Sequence, residues 1–298
     1  MKEKILLSPH APPCPDFTIV PTSGGLGADI YGIDVTKPLS QVKFKNLKRA
    51  LLDYQVLFIR DQSLEPDTFL KFGKRWGGIH FYPYMKGLEG YPEIFEVIKN
   101  PGEDRTFGNR WHSDQMYSEK PCKFTILYAR ELPRIGGDTL FTNLYAAYEA
   151  LSPGMKKLAG RLRTYNNGDN TKRYGGKSRD NWYAEKGMGG KLHRPKARTD
   201  VVGIHPLIRT HPDTRRKALY IGDQTERFDG MSETESQPLY DFFMKHVSKD
   251  TFTCRLKWQP GTLAIWDNRC VSHYAISDYP KERRVMHRIT IKDAVKPY

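Results

Sequence analysis

From residue 94 onward the chain is written largely in short runs of β-branched and aromatic residues: IFEVI, KFTILYAR, DTLFTN, KALYIG, FTCRLKW, GTLAIWD and MHRITIK. Runs of this length, bounded by turns, build sandwiches and rolls, because each strand must bury at least one face against another sheet. The expected fold class is therefore mainly β with flanking helices. The spacing of Val42, Phe44, Leu47, Leu51 and Tyr54 predicts a helix over 41–54. Others are predicted after Ser63 as N-cap with Pro66 in the first turn, over NLYAAYEAL, over GMKKLAGRL behind Ser152-Pro153, and over SETESQPLYDFFMKHV. FTIVPTSGGLGADIYGIDV reads as a hairpin, VLFIR as a buried strand, and 110–117 as a further strand. Gly25-Leu26-Gly27 is not a dinucleotide loop: Ile30 stands three positions after Gly27, and no helical pattern follows.

The expected organisation is a Pro-rich irregular arm over 1–15 and a single domain over 16–298. A Gly- and Lys-rich tract at about 164–200 is too polar to build a core, and loops of that length are commonly lids. The formal net charge is +14, and about half of it falls between residues 171 and 198, where nine Lys and Arg face only Asp180 and Glu185. That segment suits a lid closing over an anionic molecule. With Tyr174, Trp182 and Tyr183 interleaved, it also admits a second reading, a nucleic-acid-binding or nucleic-acid-modifying protein, although no recognised nucleic-acid module is present. No run approaches the ~18 apolar residues of a membrane span, and MKEKILLSPH lacks the features of a secretory signal. Cys14, Cys122, Cys254 and Cys270 are widely separated without a CxxC pair, so neither zinc nor a disulfide framework is indicated, and a cytoplasmic location is expected.

The chemistry centres on Trp111-His112-Ser113-Asp114. On a strand, residues i and i+2 project from one face, so an imidazole and a carboxylate can reach one point. A ferrous ion that must also take a co-substrate and oxygen needs open positions, which two histidines and one carboxylate leave free. The third ligand is best sought in IWDNRCVSHYA, where His273 lies near the end of a late core strand. By itself HxD is a weak signal. His205 and His211, in HPLIRTHP, are rival ligands, but each precedes a proline and suits a strand end. His10, His193 and His246 sit in tail, lid or surface-helix contexts.

The segments WHSD, ELPRIGGDTLF, AAYEALS, HPLIRTHP, IWDNR and HYAISDYPKERRVMHR, in that order, carry a specific resemblance. The chain resembles the taurine dioxygenase and 2,4-dichlorophenoxyacetate dioxygenase family of iron(II)/2-oxoglutarate enzymes from about residue 18 to 292. The resemblance implies a double-stranded β-helix, a jelly roll related to the cupins, with His112, Asp114 and His273 as iron(II) ligands. It implies 2-oxoglutarate and O2 as co-substrates, with Arg284 and Thr139 on the distal carboxylate of 2-oxoglutarate. It further implies hydroxylation of a small anionic organic substrate with release of succinate and CO2, and a homodimer or homotetramer. Arg288 is the expected anchor of the substrate anion, with Tyr82, His80 and Gln115 as further substrate contacts. No additional catalytic acid or base is required. Two departures argue against taurine itself: Tyr82 replaces the second histidine of the HxHP segment, and Gly108 replaces an asparagine four residues before the first ligand.

Overall fold

The computed structural model describes residues 14–81, 87–103, 106–178, 181–182, 185 and 201–298. The 1–15 arm lies almost wholly outside the described residues, as does most of the 183–200 part of the basic tract. In chain order the elements are β1 (Thr18–Pro21), β2 (Ala28–Tyr31), α1 (Gln41–Tyr54), β3 (Val56–Ile59), α2 (Pro66–Lys74), β4 (Ile79–His80), β5 (Phe95–Lys99), β6 (Phe124–Glu131) and β7 (Thr139–Asn143). There follow α3 (Leu144–Glu149), α4 (Pro153–Ala159), β8 (Arg163–Asn167), β9 (Val202–Pro206), β10 (Ile208–Thr210), β11 (Lys217–Leu219) and β12 (Thr225–Phe228). The last are α5 (Glu233–Val247), β13 (Thr253–Leu256), β14 (Leu263–Asp267), β15 (Val271–Ala275) and β16 (Arg284–Ile291).

The large sheet runs β1-β2-β3-β14-β6-β16-β4, with β5 also paired to β16; β13-β7-β15, β12-β8-β9 and β10-β11 form the smaller sheets. Alternation along the central strands explains how the large sheet is covered. Val56 and Phe58 of β3, Leu127 and Ala129 of β6, Ala264 and Trp266 of β14, and Met286 of β16 join an inner core with Phe141 of β7. Their neighbours Leu57, Ile59, Ile126, Tyr128, Leu263, Ile265 and Ile289 form a second core under α1 and α2. Both faces are thus buried, which is why VLFI reads as an unbroken apolar run. Truncating an inner side chain such as Phe141 to Ala would cost about 3–5 kcal/mol.

The parity that sends Met286 inward sends Arg284 and Arg288 inward with it, since residues two apart share a strand face. Strand β16 therefore brings two guanidiniums into the roll, both almost fully buried.

Several expectations are corrected. The second helix is capped by Glu65 with Pro66 at its first position, so Ser63 is not the cap. Residues 110–117 are no regular strand; a single bridge, His112 to His273, is all that forms. His273 is central in β15 rather than at a strand end. The polar tract begins later than expected, because 163–167 is a core strand whose inward Thr164 and Asn166 are satisfied by hydrogen bonds, Asn166 Nδ2 donating to Gly203 O at 3.1 Å and Asn166 Oδ1 accepting from Thr225 Oγ1 at 2.8 Å. His246 belongs to α5 yet is buried, its Nε2 lying 2.8 Å from Ala147 O.

Candidate metal centre

The isolated bridge positions the first two candidate ligands. His112 N–H donates to His273 O at 3.1 Å and His273 N–H returns a bond to His112 O at 2.8 Å, so the two histidines are direct cross-strand partners. Their rings lie 4.2 Å apart between centroids. Asp114 follows two residues on and is fixed at its backbone, its N–H donating to Asn268 Oδ1 at 3.1 Å; between them Ser113 Oγ donates to Val271 O at 2.9 Å. At Gln115 the backbone takes φ +57°, and the chain turns away from the site.

Side-chain geometry converges on Asp114 Oδ1. The Nε2 atoms of His112 and His273 lie 3.6 and 3.8 Å from it, and one ligand atom from each of the three residues falls within 4.8 Å of the others. The His112 Nδ1 stands 2.7 Å from Arg110 O, a contact that requires the proton on Nδ1 and leaves the Nε2 lone pair facing the carboxylate. His273 is clasped by Trp266, at 4.7 Å, and by the stacked ring of Phe141, at 6.1 Å. Burial, reinforced by His112, holds His273 well below the ordinary imidazole range, so it is neutral. Burial alone would push Asp114 up; Arg288 and the two imidazoles more than offset it, and the carboxyl is held well below the usual carboxylate range. The other oxygen, Oδ2, accepts from Thr125 Oγ1 at 2.6 Å, and Thr125 in turn accepts from Asn268 Nδ2 at 2.9 Å. Arg288 Nη2 lies 2.8 Å from Oδ1. Two imidazoles and one ionised, restrained carboxylate fit a divalent transition metal.

A second cluster, His211, Asp267 and Cys270, has comparable spacing but does not fit a metal. His211 Nδ1 already accepts the N–H groups of Asp213 and Thr214, both at 3.1 Å, so Nε2 carries the proton and donates to Asp267 at 3.0 Å. Arg269 closes the carboxylate through two bonds at 2.8 and 2.6 Å. The rival histidines thus have structural work: His205 Nε2 reaches the carbonyls of Met116 and Ser118 at 2.8 and 3.0 Å, tying down the chain that leaves the HxD segment.

One cavity joins the two histidines to the arginines, with His112, His273, Thr139, Arg284 and Arg288 all on its lining. Arg284 is buried, and its Nε and Nη2 have no hydrogen-bond partner among the described residues. Thr139 Oγ1 accepts from Trp258 Nε1 at 3.0 Å, which leaves its own proton to donate. A buried guanidinium with two unused donors beside a hydroxyl matches a carboxylate. His80, half-buried on β4, is pushed down to about 4 by burial, then by Lys292 and Arg288. Gln115 is buried but is not on the cavity lining, and Tyr82 lies outside the described residues. Thr125 and Trp258 escaped the sequence reading. The one available signal was a threonine among the apolar residues of KFTILYAR.

A model of the taurine catabolism dioxygenase TauD, TfdA family matches residues 18–290. The chain belongs to this family. It is an iron(II)- and 2-oxoglutarate-dependent dioxygenase with the double-stranded β-helix of that family. Relatives include an alkylsulfatase of Acinetobacter baylyi, 32% identical over 92% of this chain and 84% of the relative, and an alpha-ketoglutarate-dependent sulfate ester dioxygenase of Pseudomonas putida, 30% identical over 96% and 92%. A taurine dioxygenase structure from Burkholderia xenovorans superposes with a TM-score of 0.77 at 27% identity, covering 95% of this chain and 91% of that one. No helix among the described residues is long and apolar enough to cross a membrane.

Proposed function

We propose that this TauD-family enzyme hydroxylates the ester-bearing carbon of a small organosulfate, with iron(II) held by His112, Asp114 and His273. Arg284 and Thr139 receive the distal carboxylate of 2-oxoglutarate, and Arg288 receives the substrate anion, with His80 as a further contact. The observation that carries this reading is the pair of buried guanidiniums on one cavity beside the three ligands: two acids are to be bound, and one strand offers a cation for each. Val97, Phe107, Leu127 and Ala275 supply apolar walls suited to a carbon chain. Gly108 lines the same cavity, and a Cβ there would come within 3.2 Å of the His112 ring, so the glycine keeps space open beside a candidate ligand. The sulfate ester activities named for two relatives support the choice among anions.

Bound iron(II), with 2-oxoglutarate and O2, supplies the oxidising power that turns a C–H bond into C–OH as 2-oxoglutarate becomes succinate and CO2. The chain's own residues orient and exclude. Arg288 fixes the anion, the apolar walls keep water from the reacting carbon, and Thr125 prevents the Asp114 carboxylate from rotating. Hydroxylation beside the ester oxygen gives a hemiacetal-like product. Its hydroxyl loses a proton, the carbon–oxygen bond to sulfate breaks with the electron pair leaving on sulfate, and an aldehyde remains.

The test is a panel of alkyl sulfates, sulfonates, aryloxyalkanoates and taurine, given to iron-loaded enzyme and scored for succinate, carbonyl product and released anion. An alkyl sulfate should yield succinate, aldehyde and sulfate in equal amounts, with taurine at background. Turnover restricted to sulfonates or aryloxyalkanoates would reassign the anion, and dependence on an oligonucleotide would restore the nucleic-acid reading, which the relatives do not support. A homo-oligomeric, cytoplasmic enzyme completes the proposal, supported by the family resemblance and by the absence of disulfides among the described cysteines; native mass in solution checks the assembly.

A further inference from the structure

Strand β13 ends at Leu256, but its alternation of buried and exposed positions runs on for two residues more: Cys254, Leu256 and Trp258 are buried, while Arg255 and Lys257 are exposed. The indole of Trp258 is therefore turned inward. Register decides what it meets. Leu256 is the cross-strand partner of Thr139 on β7, so a side chain two residues on reaches the start of that strand. Trp258 Nε1–H donates to Thr139 Oγ1 at 3.0 Å, and the Arg284 guanidinium lies 5.5 Å from the indole ring centroid, within reach of a cation–π contact. Trp258 is not among the described residues that line the cavity, whereas Thr139 and Arg284 both are. It stands behind them.

Each contact fixes one freedom. Thr139 is paired on both sides, with Leu256 and with Ala275 of β15, so its backbone is held and the hydroxyl torsion is what remains. An indole N–H only donates, so it takes a lone pair of Oγ1 and sends the hydroxyl proton elsewhere. Arg284 is held at its stem as well as its head. A Cβ on Gly137, at φ +71°, would stand 3.4 Å from Arg284 Cδ, and the indole lies against the guanidinium. The Nε and Nη2 donors of Arg284 have no partner among the described residues. One buried ring thus backs both donor groups, and its width sets how far they stand from the candidate metal ligands.

Resting on the assignment of Thr139 and Arg284 to the distal carboxylate of 2-oxoglutarate, we propose that Trp258 is a positioning residue that sets the depth of that site and thereby selects the chain length of the 2-oxo acid. Its N–H aims the threonine donor, and its ring stops the arginine from receding. A narrower side chain lets the guanidinium retreat, which favours an acid one methylene longer.

The variants are Trp258→Phe, which keeps an aromatic face and removes the N–H, Trp258→Leu, which removes both, Thr139→Val, and Arg284→Met as control. Binding of 2-oxoglutarate and of 2-oxoadipate, its homologue one methylene longer, is read by anaerobic calorimetry on iron-loaded protein, beside iron(II) affinity itself. In Trp258→Phe the dissociation constant for 2-oxoglutarate should rise about three- to tenfold, as for one hydrogen bond. Adding Thr139→Val should raise it little further, because both changes remove the same donor. In Trp258→Leu the preference for 2-oxoglutarate over 2-oxoadipate, worth about tenfold or more in a fitted site, should shrink toward parity. Iron(II) affinity should stay at the wild-type value in both. Equal losses of affinity for iron(II) and 2-oxoglutarate would mark a merely structural tryptophan and overturn the proposal. Where Trp258→Leu does not fold, Trp258→Phe and its double variant carry the test, and additive losses there overturn it. Wild-type affinity and selectivity in the Trp258 variants, with Arg284→Met binding 2-oxoglutarate poorly, overturn the role of Trp258 and leave the assignment standing. Wild-type affinity in Arg284→Met overturns the assignment of that arginine, and the proposal with it.

Discussion

Replacing Thr125 by Val asks whether the Asp114 carboxylate must be held still to bind a metal. The change is nearly isosteric and removes one hydroxyl, which donates to Asp114 Oδ2 at 2.6 Å and accepts from Asn268 Nδ2 at 2.9 Å. Only Oδ1 faces the two imidazole Nε2 atoms, so the carboxylate must hold one orientation. A hydrogen bond to a buried carboxylate contributes about 1.5–3 kcal/mol. At about 1.4 kcal/mol per decade, its loss should weaken iron(II) binding roughly ten- to a hundredfold, the range common for partners that orient metal ligands. Anaerobic calorimetric titration with iron(II) measures this directly, and metal-saturated variant should retain most of its kcat. Asp114→Ala is the companion, and should abolish tight binding. A Thr125→Val protein of wild-type stability that binds iron(II) as tightly as the wild type would refute the reasoning.

His205 should make stability acid-sensitive. Burial pushes it down to about 4 from an ordinary 6.5, so between those values the unfolded chain takes up a proton that the folded chain refuses. Stability then falls as pH drops from about 6.5 to 4, by roughly 3 kcal/mol in total from this residue. Urea unfolding of wild type and His205→Gln at pH 7 and 4.5 should show the smaller acid loss in the variant; parallel losses would exclude the effect. Gly222→Ala should both destabilise the protein and weaken metal binding. The added Cβ would stand 2.9 Å from Met116 Sδ and 3.1 Å from His112 Cα, an overpacking that costs about 1–3 kcal/mol and displaces a candidate ligand. The paired measurement is urea unfolding with iron(II) titration, and a shift in neither would contradict the close contact.

Much of the fold was legible because the strands of the large sheet are covered on both sides and so consist of apolar runs. Val56–Ile59 and Leu263–Asp267 are of this kind. Strand β8 was not legible, since Thr164 and Asn166 face inward and are satisfied by neighbouring strands rather than by apolar packing. Val271–Ala275 was hidden for a related reason: its inward His273 is cross-bridged to a segment that forms no strand of its own. In the site, the i, i+2 spacing of His112 and Asp114 and the position of Arg284 were visible from the motifs. Thr125 and Trp258 were not, because each acts on a residue brought to it by another part of the chain.

The charges around the cavity limit what the substrate can be. Asp114 contributes one negative charge against the two guanidiniums of Arg284 and Arg288, all three buried. With iron(II) bound, the proposed site carries a surplus of three positive charges in surroundings where unpaired charge is costly. The 2-oxoglutarate dianion neutralises two of them, which leaves one for the primary substrate. A sulfate monoester carries that single charge. A phosphate monoester of the same carbon chain is nearly isosteric but approaches two negative charges above its second pKa near 6. At pH 8 the phosphate should therefore bind more weakly and release little succinate, and lowering the pH toward 6 should narrow the gap as it becomes a monoanion. The measurement is the ratio of kcat/KM for the two esters across that pH interval. A ratio that stays flat would mean that Arg288 does not meet the anion in a dry site, and the charge argument would fail.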